Sequence, residues 1–176
     1  STRVWFTFRL FGFKKVKILD GGFKEWYNQK LPLTNKIKKT TSSDLRINSY
    51  ESDKIINKVE LENHIVKNNK KFTLIDARPE DRFFGRKEEP RPNLKKGKIN
   101  QSINIPFTNI LTNGSYLKNL NELKDLMFSR NKINKSYDII CYCGSGITAC
   151  NIIFVLTILG CKKIKLYDGS WAEWGK

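Results

Sequence analysis

The stretch Phe8-Arg-Leu-Phe-Gly-Phe-Lys-Lys-Val-Lys-Ile-Leu-Asp-Gly-Gly-Phe-Lys-Glu-Trp26 returns near the end of the chain as Leu156-Thr-Ile-Leu-Gly-Cys-Lys-Lys-Ile-Lys-Leu-Tyr-Asp-Gly-Ser-Trp-Ala-Glu-Trp174, at a constant offset of 148 without a gap. Gly12/Gly160, Lys14/Lys162, Lys15/Lys163, Lys17/Lys165, Asp20/Asp168, Gly21/Gly169, Glu25/Glu173 and Trp26/Trp174 are identical, and most other pairs exchange one apolar residue for another. Self-similarity at a fixed offset means that one supersecondary unit is present twice. Each copy predicts the end of a helix, a glycine stop, a short strand (Val16 to Leu19; Ile164 to Tyr167) and an Asp-Gly step opening a helix that carries Trp. The second copy closes a domain, so the first is expected to close one too. Residues 1–30 are then the C-terminal tail of a preceding homologous domain, with the true N-terminus upstream. Residues 31–48, polar and aperiodic, read as a linker, and 49–176 as a complete domain.

Within that domain Asp53 is expected to cap a helix carrying Ile55, Ile56, Val59, Leu61, Ile65 and Val66. Strands are predicted at Phe72 to Ile75, Ile103 to Ile105, Asp138 to Tyr142 and Ile164 to Tyr167, with helices at Leu117 to Phe128 and Ile147 to Leu159. Alternating strands and helices specify the α/β class, a doubly wound parallel sheet with helices on both faces. Ligands of such sheets bind at the carboxyl ends of strands, which directs attention to the loops after Ile75 and Tyr142.

Composition narrows the function classes. Of 176 residues, 39% are hydrophobic and 12% aromatic, enough for a buried core and incompatible with intrinsic disorder or a coiled coil. Lys and Arg number 33 against 17 Asp and Glu, a formal charge of +16. The lysines are scattered among Asn and Ile, as in Asn35-Lys-Ile-Lys-Lys39, Lys67-Asn-Asn-Lys-Lys71 and Asn131-Lys-Ile-Asn-Lys135. No basic helix with interleaved aromatics emerges, so a solvated cationic surface that attracts anionic substrates is expected in place of a nucleic-acid site. The longest apolar run, Ile147 to Leu159, is interrupted by Asn151 and is shorter than the roughly 20 residues of a bilayer span, so no membrane partner is expected. Cys141, Cys143, Cys150 and Cys161 lack zinc-ligand spacing and suggest no disulfide framework. Neither metal nor cofactor is expected, and the location expected is a reducing compartment, cytoplasmic or mitochondrial. His64, the single histidine, lies in a polar stretch and is expected at the surface.

Cys143-Gly144-Ser145-Gly146-Ile147-Thr148 joins a predicted strand to a predicted helix. Its glycines permit positive φ and let backbone amides turn inward at a helix N-terminus. A thiolate placed there is stabilised by those donors, so Cys143 is the candidate nucleophile. Cys alone would read as an inert thiol; strand, Gly-Ser-Gly turn and helix together favour the reactive reading. Two competitors share this loop. Gly144-x-Gly146-x-x-Ala149 with Asp168 imitates a dinucleotide fingerprint, but such a fold is expected to open with that unit and to continue with further strands. A cysteine phosphatase would close the anion cradle with Arg where Ala149 stands.

These residues resemble the tandem-domain rhodanese-like sulfurtransferases, and among them the 3-mercaptopyruvate sulfurtransferases. Cys143-Gly-Ser-Gly-Ile-Thr148 is close to the loop Cys-Gly-Ser-Gly-Val-Thr of that subgroup, whereas thiosulfate sulfurtransferases carry basic residues at the second and third positions. Tyr167-Asp-Gly-Ser-Trp-x-Glu-Trp174, Arg3-Val-Trp5 and Leu19-Asp-Gly-Gly22 are equally similar. So is Asp76-Ala-Arg78-Pro-Glu-Asp-Arg82-Phe-Phe-Gly85 with Glu89-Pro-Arg91-Pro-x-Leu-x-x-Gly97-x-Ile99, which looks like the family's substrate loop. Gly97-Lys-Ile-Asn-Gln-Ser102 departs from the more usual Gly-His-Ile-Pro-Gly-Ser. The resemblance implies a rhodanese-like fold in which Cys143 takes sulfur from 3-mercaptopyruvate as a persulfide, releases pyruvate and passes the sulfur to a thiol acceptor such as thioredoxin or a low-molecular-weight thiol. Arg82 and Arg91 match the family's carboxylate-binding arginines. The missing part of the first rhodanese-like domain is the remaining partner implied. Alternatives from the same family are a thiosulfate sulfurtransferase and a non-catalytic persulfide carrier or partner-binding module. Arg78, two residues after Asp76, is expected to be a structural ion-pair partner, and Cys141 and Cys150 core residues.

Overall fold

Seven short strands organise the described residues: β1 (Ile55–Ile56), β2 (Phe72–Asp76), β3 (Ser102–Asn104), β4 (Leu111–Thr112), β5 (Tyr116–Leu117), β6 (Asp138–Tyr142) and β7 (Ile164–Tyr167). The computed structural model describes residues 1–37, 39, 41–42, 44, 46–47, 49–67 and 71–176. Positions 38, 40, 43, 45 and 48 of the expected linker, and the Asn68-Asn-Lys70 part of one lysine cluster, lie outside the described residues. Five strands form a parallel sheet in the order β1-β7-β6-β2-β3, while β4 and β5 make a separate antiparallel hairpin. β6 is central, with Tyr142 opposite Asp76 on one side and Cys141 opposite Leu166 on the other. Strands flanked on both sides and covered on both faces need continuous apolar sequence, which Ile139-Ile-Cys-Tyr142 supplies.

Strand alternation divides the core. Ile139 and Cys141 of β6 face a cluster built with α6 (Ala149–Ile158), whereas Ile140 and Tyr142 face one that includes Leu61 of α3 (Lys58–Val66) and Trp171 of α7 (Ser170–Trp174). Helices therefore cover both faces of a parallel sheet, as the sequence pattern predicts. β6 and β7 have the predicted ends. Elsewhere local cues mislead. Ile55 and Ile56 are not helical: they form the edge strand β1, register with Leu166 and Tyr167, and send their side chains to opposite core clusters. Asp53 lies in a 3-10 turn, and the cap of α3 is Asn57, whose side chain and that of Glu60 exchange hydrogen bonds with each other's backbone amides, both at 2.9 Å. The predicted helix 117–128 gives Tyr116–Leu117 to the hairpin, starts at Leu120 after the Asn119 cap as α5 (Leu120–Lys124) and loosens into a π turn over Asp125–Arg130. α6 starts only at Ala149, leaving Ile147 and Thr148 in the loop.

The N-terminal residues pack on this same body. α1 (Thr2–Leu10) buries Trp5, Phe6 and Leu10, with Trp5 edge-on to Phe154 of α6 at 5.1 Å between ring centres. Val16–Leu19 is not a strand, because among the described residues no strand pairs with it, yet Val16 and Ile18 still pack on the core. Beyond it, Asp20 Oδ1 accepts the Leu117 amide at 2.9 Å, and α2 follows (Gly22–Asn28).

At the carboxyl end of β2 the chain buries two opposite charges, Asp76 and Arg78. Arg78 donates through Nε and Nη2 to Asp76, through Nη1 to Glu89 at 2.8 Å and through Nη2 to the Gly97 carbonyl at 2.7 Å. Its expected structural role is thereby met. Removing one member of such a network leaves the others charged without a partner. Arg78→Met is expected to lower the unfolding free energy by about 3–5 kcal/mol, measured by urea denaturation, and to cost far more than Arg86→Met, whose ion pairs are exposed.

Candidate active site

The loop after β6 is fixed by the opening of α7. Ser170 Oγ accepts the amides of Cys143 at 3.1 Å and Gly146 at 3.0 Å and donates to the Tyr167 carbonyl at 2.9 Å. The Trp171 amide donates to the Cys143 carbonyl and the Ala172 amide to the Gly144 carbonyl, both at 2.9 Å. Arg91 Nη1 adds a second donor to the Gly144 carbonyl at 3.3 Å, and Arg3 Nη1 donates to the Gly146 carbonyl at 3.2 Å. In a trans peptide the carbonyl and the following N–H point in opposite directions. Holding the carbonyls of residues 143, 144 and 146 on one side therefore turns the amides of Gly144, Ser145 and Ile147 to the other. Together with the Thr148 amide, these have no protein acceptor among the described residues. The expected cradle of amides is present, but the amides of Cys143 and Gly146 do not belong to it, because Ser170 occupies them.

Cys143 is 1% exposed and lines a cavity of about 320 Å³ together with Gly144, Ser145, Ile147 and Thr148 of its own loop and Arg82, Glu89, Pro90, Arg91 and Leu94 of the segment after β2. All the predicted site residues except Gly146 thus line one cavity; Gly146 is buried behind it. Gly146 has φ +71°, and a side chain there would collide with the Asp168 carboxylate, so glycine is required twice over. Arg82 shares its guanidinium with Glu89, through Nε at 3.2 Å and through Nη2, while Nη2 also leans on Gly144, 3.0 Å from where a Cβ would stand. Arg91 is exposed at the rim. The cavity, near the lower end of the range for ligand sites, can take a small anion whose head meets the arginines and whose far end meets the Cys143 sulfur.

The other thiols are held out of play. Burial pushes the Cys141 thiol well up and that of Cys150 up to about 12, the latter against an opposing effect of the Arg3 charge; burial raises Cys161 as well. They stay protonated near neutral pH. His64 is half-buried with its ring 5.7 Å from Phe72, outside the cavity.

Sequence reasoning missed three groups. Glu89, with a side chain only 2% exposed, bridges Arg78 and Arg82. Arg3 reaches the loop from the other end of the chain. Ser170 holds the amides, and the repeat carried its signal: at the offset of 148 it corresponds to Gly22, which has φ +64°, and Ser170 keeps φ +51° although it is not glycine. A serine retained at a left-handed position costs about 1–2 kcal/mol and points to use of its hydroxyl.

Comparison with known proteins accords with this geometry. A family model described as Rhodanese-like domain matches residues 57–176. The chain belongs to the rhodanese-like domain family. Its relatives include a mouse 3-mercaptopyruvate sulfurtransferase, 39% identical over 99% of this chain and 57% of that protein, and a bovine thiosulfate sulfurtransferase, 34% identical over 99% and 58%. Among solved structures, the sub-stoichiometric sulfur transferase subunit of yeast mitochondrial complex I superposes with a TM-score of 0.85 at 31% identity, covering 98% of this chain and 63% of that one. The chain spans somewhat under two thirds of the length of these relatives. No helix among the described residues is long and apolar enough to cross a membrane.

In this rhodanese-like domain, Ser170→Ala would strand the amides of Cys143 and Gly146 without an acceptor. Each buried unsatisfied donor costs about 1–3 kcal/mol, and hydrogen exchange at these two amides is expected to accelerate while exchange in the centre of β2 does not.

Proposed function

We propose that this chain forms the catalytic part of a sulfurtransferase that moves sulfur from 3-mercaptopyruvate to a thiol acceptor through a persulfide on Cys143. The observation that carries this reading is one cavity holding Cys143, a ring of undirected amides and two arginines. The Cys143 thiolate attacks the substrate sulfur; the carbon–sulfur bond breaks, its electron pair passes to carbon as the enolate of pyruvate, and protonation at that carbon releases pyruvate. The amides of Gly144, Ser145, Ile147 and Thr148 supply hydrogen bonds to the persulfide anion left on Cys143. A thiolate acceptor then takes the outer sulfur and restores Cys143. Thioredoxin and small thiols fit the second step, since the mouth needs only to admit one sulfur.

Relatives of both donor types occur at comparable identity, so the loop must discriminate. Gly144 and Ser145 are neutral, and the absence of a side chain at 144 lets Arg82 approach the loop. A 2-oxo acid finds a carboxylate partner in Arg82 and Arg91, whereas thiosulfate finds no cation on the loop itself. A thiosulfate sulfurtransferase is the second reading, favoured by the bovine relative.

We further propose that residues 1–30 belong to a preceding homologous unit, joined to 49–176 by the segment 31–48. At the offset of 148, Val4, Phe8 and Phe11 correspond to Ile152 and Leu156 of α6 and Leu159 at its end, all buried, whereas Val4 is 59% and Phe8 43% exposed on α1. With Thr7 and Phe13 they line an apolar groove of about 480 Å³. The sheet of that preceding unit is the occupant the repeat specifies.

Cys143→Ser is expected to abolish pyruvate release and the single added sulfur found by mass spectrometry after incubation with 3-mercaptopyruvate, while Cys141→Ser, Cys150→Ser and Cys161→Ser each keep substantial activity. A persulfide located on Cys141 would overturn the assignment. Arg82→Ala and Arg91→Ala are each expected to raise KM for 3-mercaptopyruvate about tenfold, the loss of one charge-assisted hydrogen bond. Gly144→Arg with Ser145→Lys displaces Arg82 and should shift the kcat/KM ratio toward thiosulfate. Joining the chain to the upstream unit should raise kcat/KM for 3-mercaptopyruvate; equal values with and without it would show that 49–176 suffices.

A further inference from the structure

Among the described residues, the Gly146–Ile147 peptide is the one in the Cys143 loop that takes a side-chain donor from residues 1–30. The Gly146 amide, in the preceding peptide, is held by Ser170 Oγ, while the Gly146 carbonyl accepts from Arg3 Nη1 at 3.2 Å, with the Cys150 thiol as a second donor at 3.3 Å. Arg3 is itself pinned by Asp168, through Nη1–Oδ1 and through Nη2–Oδ2 at 3.2 Å. Because the Gly146 carbonyl and the Ile147 amide share one peptide plane, whatever fixes the first aims the second.

The repeat shows that this contact is an asymmetric addition. α1 and α6 are equivalent under the offset of 148, and they pack on each other, with Trp5 against Phe154. The Thr2 hydroxyl donates to Asn151 Oδ1 at 3.0 Å, and the members of its image under the offset of 148, Cys150 and Arg3, meet at the Gly146 carbonyl. A symmetric interface should repeat each contact. The equivalent of Arg3 in α6, however, is Asn151, which is too short to span the same gap and carries no charge for Asp20, the equivalent of Asp168. Asp20 instead accepts amides from Gly21 and Leu117. Of the two copies, the arginine clamp serves the one that holds the cysteine.

We infer that Arg3, tethered by Asp168, is a positioning residue for the Cys143 loop: it fixes the Gly146 peptide so that the Ile147 amide faces the anion formed on Cys143. Arg3 touches neither the cavity nor the reacting sulfur, so its effect passes through the peptide. The groups that face Cys143 are Arg82, Glu89 and Arg91 across the cavity, Cys141 on β6, Cys150 on α6, and the Arg3–Asp168 pair behind the loop. The inference deepens the sulfur-transfer reading but can be tested apart from it, because alkylation of Cys143 needs no sulfur donor.

The experiment measures the rate of iodoacetamide alkylation of Cys143 against pH, located by peptide mass spectrometry, in the wild type, Arg3→Gln, Arg3→Lys and Asp168→Asn, with kcat and KM for 3-mercaptopyruvate alongside. Arg3→Gln should move the alkylation profile to higher pH and lower kcat about tenfold, less than the loss from deleting a direct oxyanion donor, with KM changed less than about twofold because Arg82 and Arg91 hold the carboxylate. Arg3→Lys should restore part of both effects. Asp168→Asn should shift them the same way, and its combination with Arg3→Gln should fall short of additivity. An unchanged profile in a folded Arg3→Gln overturns the inference; should that variant not fold, an unchanged profile in Asp168→Asn does so. If variants shift the profile while the wild type transfers no sulfur, the positioning role stands and the sulfur-transfer reading fails.

Discussion

A guanidinium cannot be buried without partners for its charge and its donors, and Arg78 is fully buried. Asp76, at the end of β2, neutralises it; Glu89 and the Gly97 carbonyl come from the long loop between β2 and β3; the Trp171 ring of α7 stacks on it with the guanidinium carbon 4.3 Å from the ring centre. Meeting that one demand brings together a sheet end, a long loop of little regular structure and the helix that locks the cysteine. Glu89, held by Arg78, in turn orients Arg82. A buried ion pair is often no more stabilising than apolar residues of equal volume. Its value here is positional: the two walls of the cavity share a single rigid anchor.

The site then divides its charges by depth. Deep in the loop only backbone amides serve the sulfur, as α7 and Arg3 hold the carbonyls away. Full cations come from the segment after β2, where Arg82 is paired with Glu89 and Arg91 is exposed. Such an arrangement suits an anion whose carboxylate remains in place while charge develops at the other end, because interactions that strengthen only as the reaction proceeds lower its barrier. The neighbouring thiols show the converse. Cys141 and Cys150 lie on the strand and helix that flank Cys143, yet burial keeps their protons on. Reactivity follows the environment of the sulfur more than the residue type.

Where the sequence was legible, one residue type had one local meaning. Ile139-Ile-Cys-Tyr142 is a two-sided strand by composition alone, and the Gly-Ser-Gly turn behind it could only be a tight strand-to-helix loop. Where the sequence misled, the deciding partner lay far along the chain. Ile55-Ile56 stands beside a helix and has the same residue types as one, but Leu166 and Tyr167 recruit it as an edge strand. Val16–Leu19 has the pattern of its repeat partner β7 and lacks only neighbouring strands, so identical local preference gives a strand in one copy and an extended segment in the other. The amide cradle is legible in kind from the glycines, but which amides remain available depends on Ser170, Trp171, Ala172 and Arg3, none of them local to the loop.

The placement of Arg3 couples chemistry to assembly. α1 has two apolar faces: Trp5, Phe6 and Leu10 are spent on α6, while Val4 and Phe8 remain in water although their repeat equivalents are core. A short helix that is apolar on most sides keeps its position only when both sides are covered. In this chain one side is covered, and the residue that orients the Gly146 peptide lies one position from the exposed Val4. Whatever steadies the open face of α1 also steadies Arg3 against Asp168, and through the Gly146 peptide it steadies the amide that faces Cys143. The sulfur site therefore acquires dependence on the packing of residues 1–30 without any of them entering the cavity.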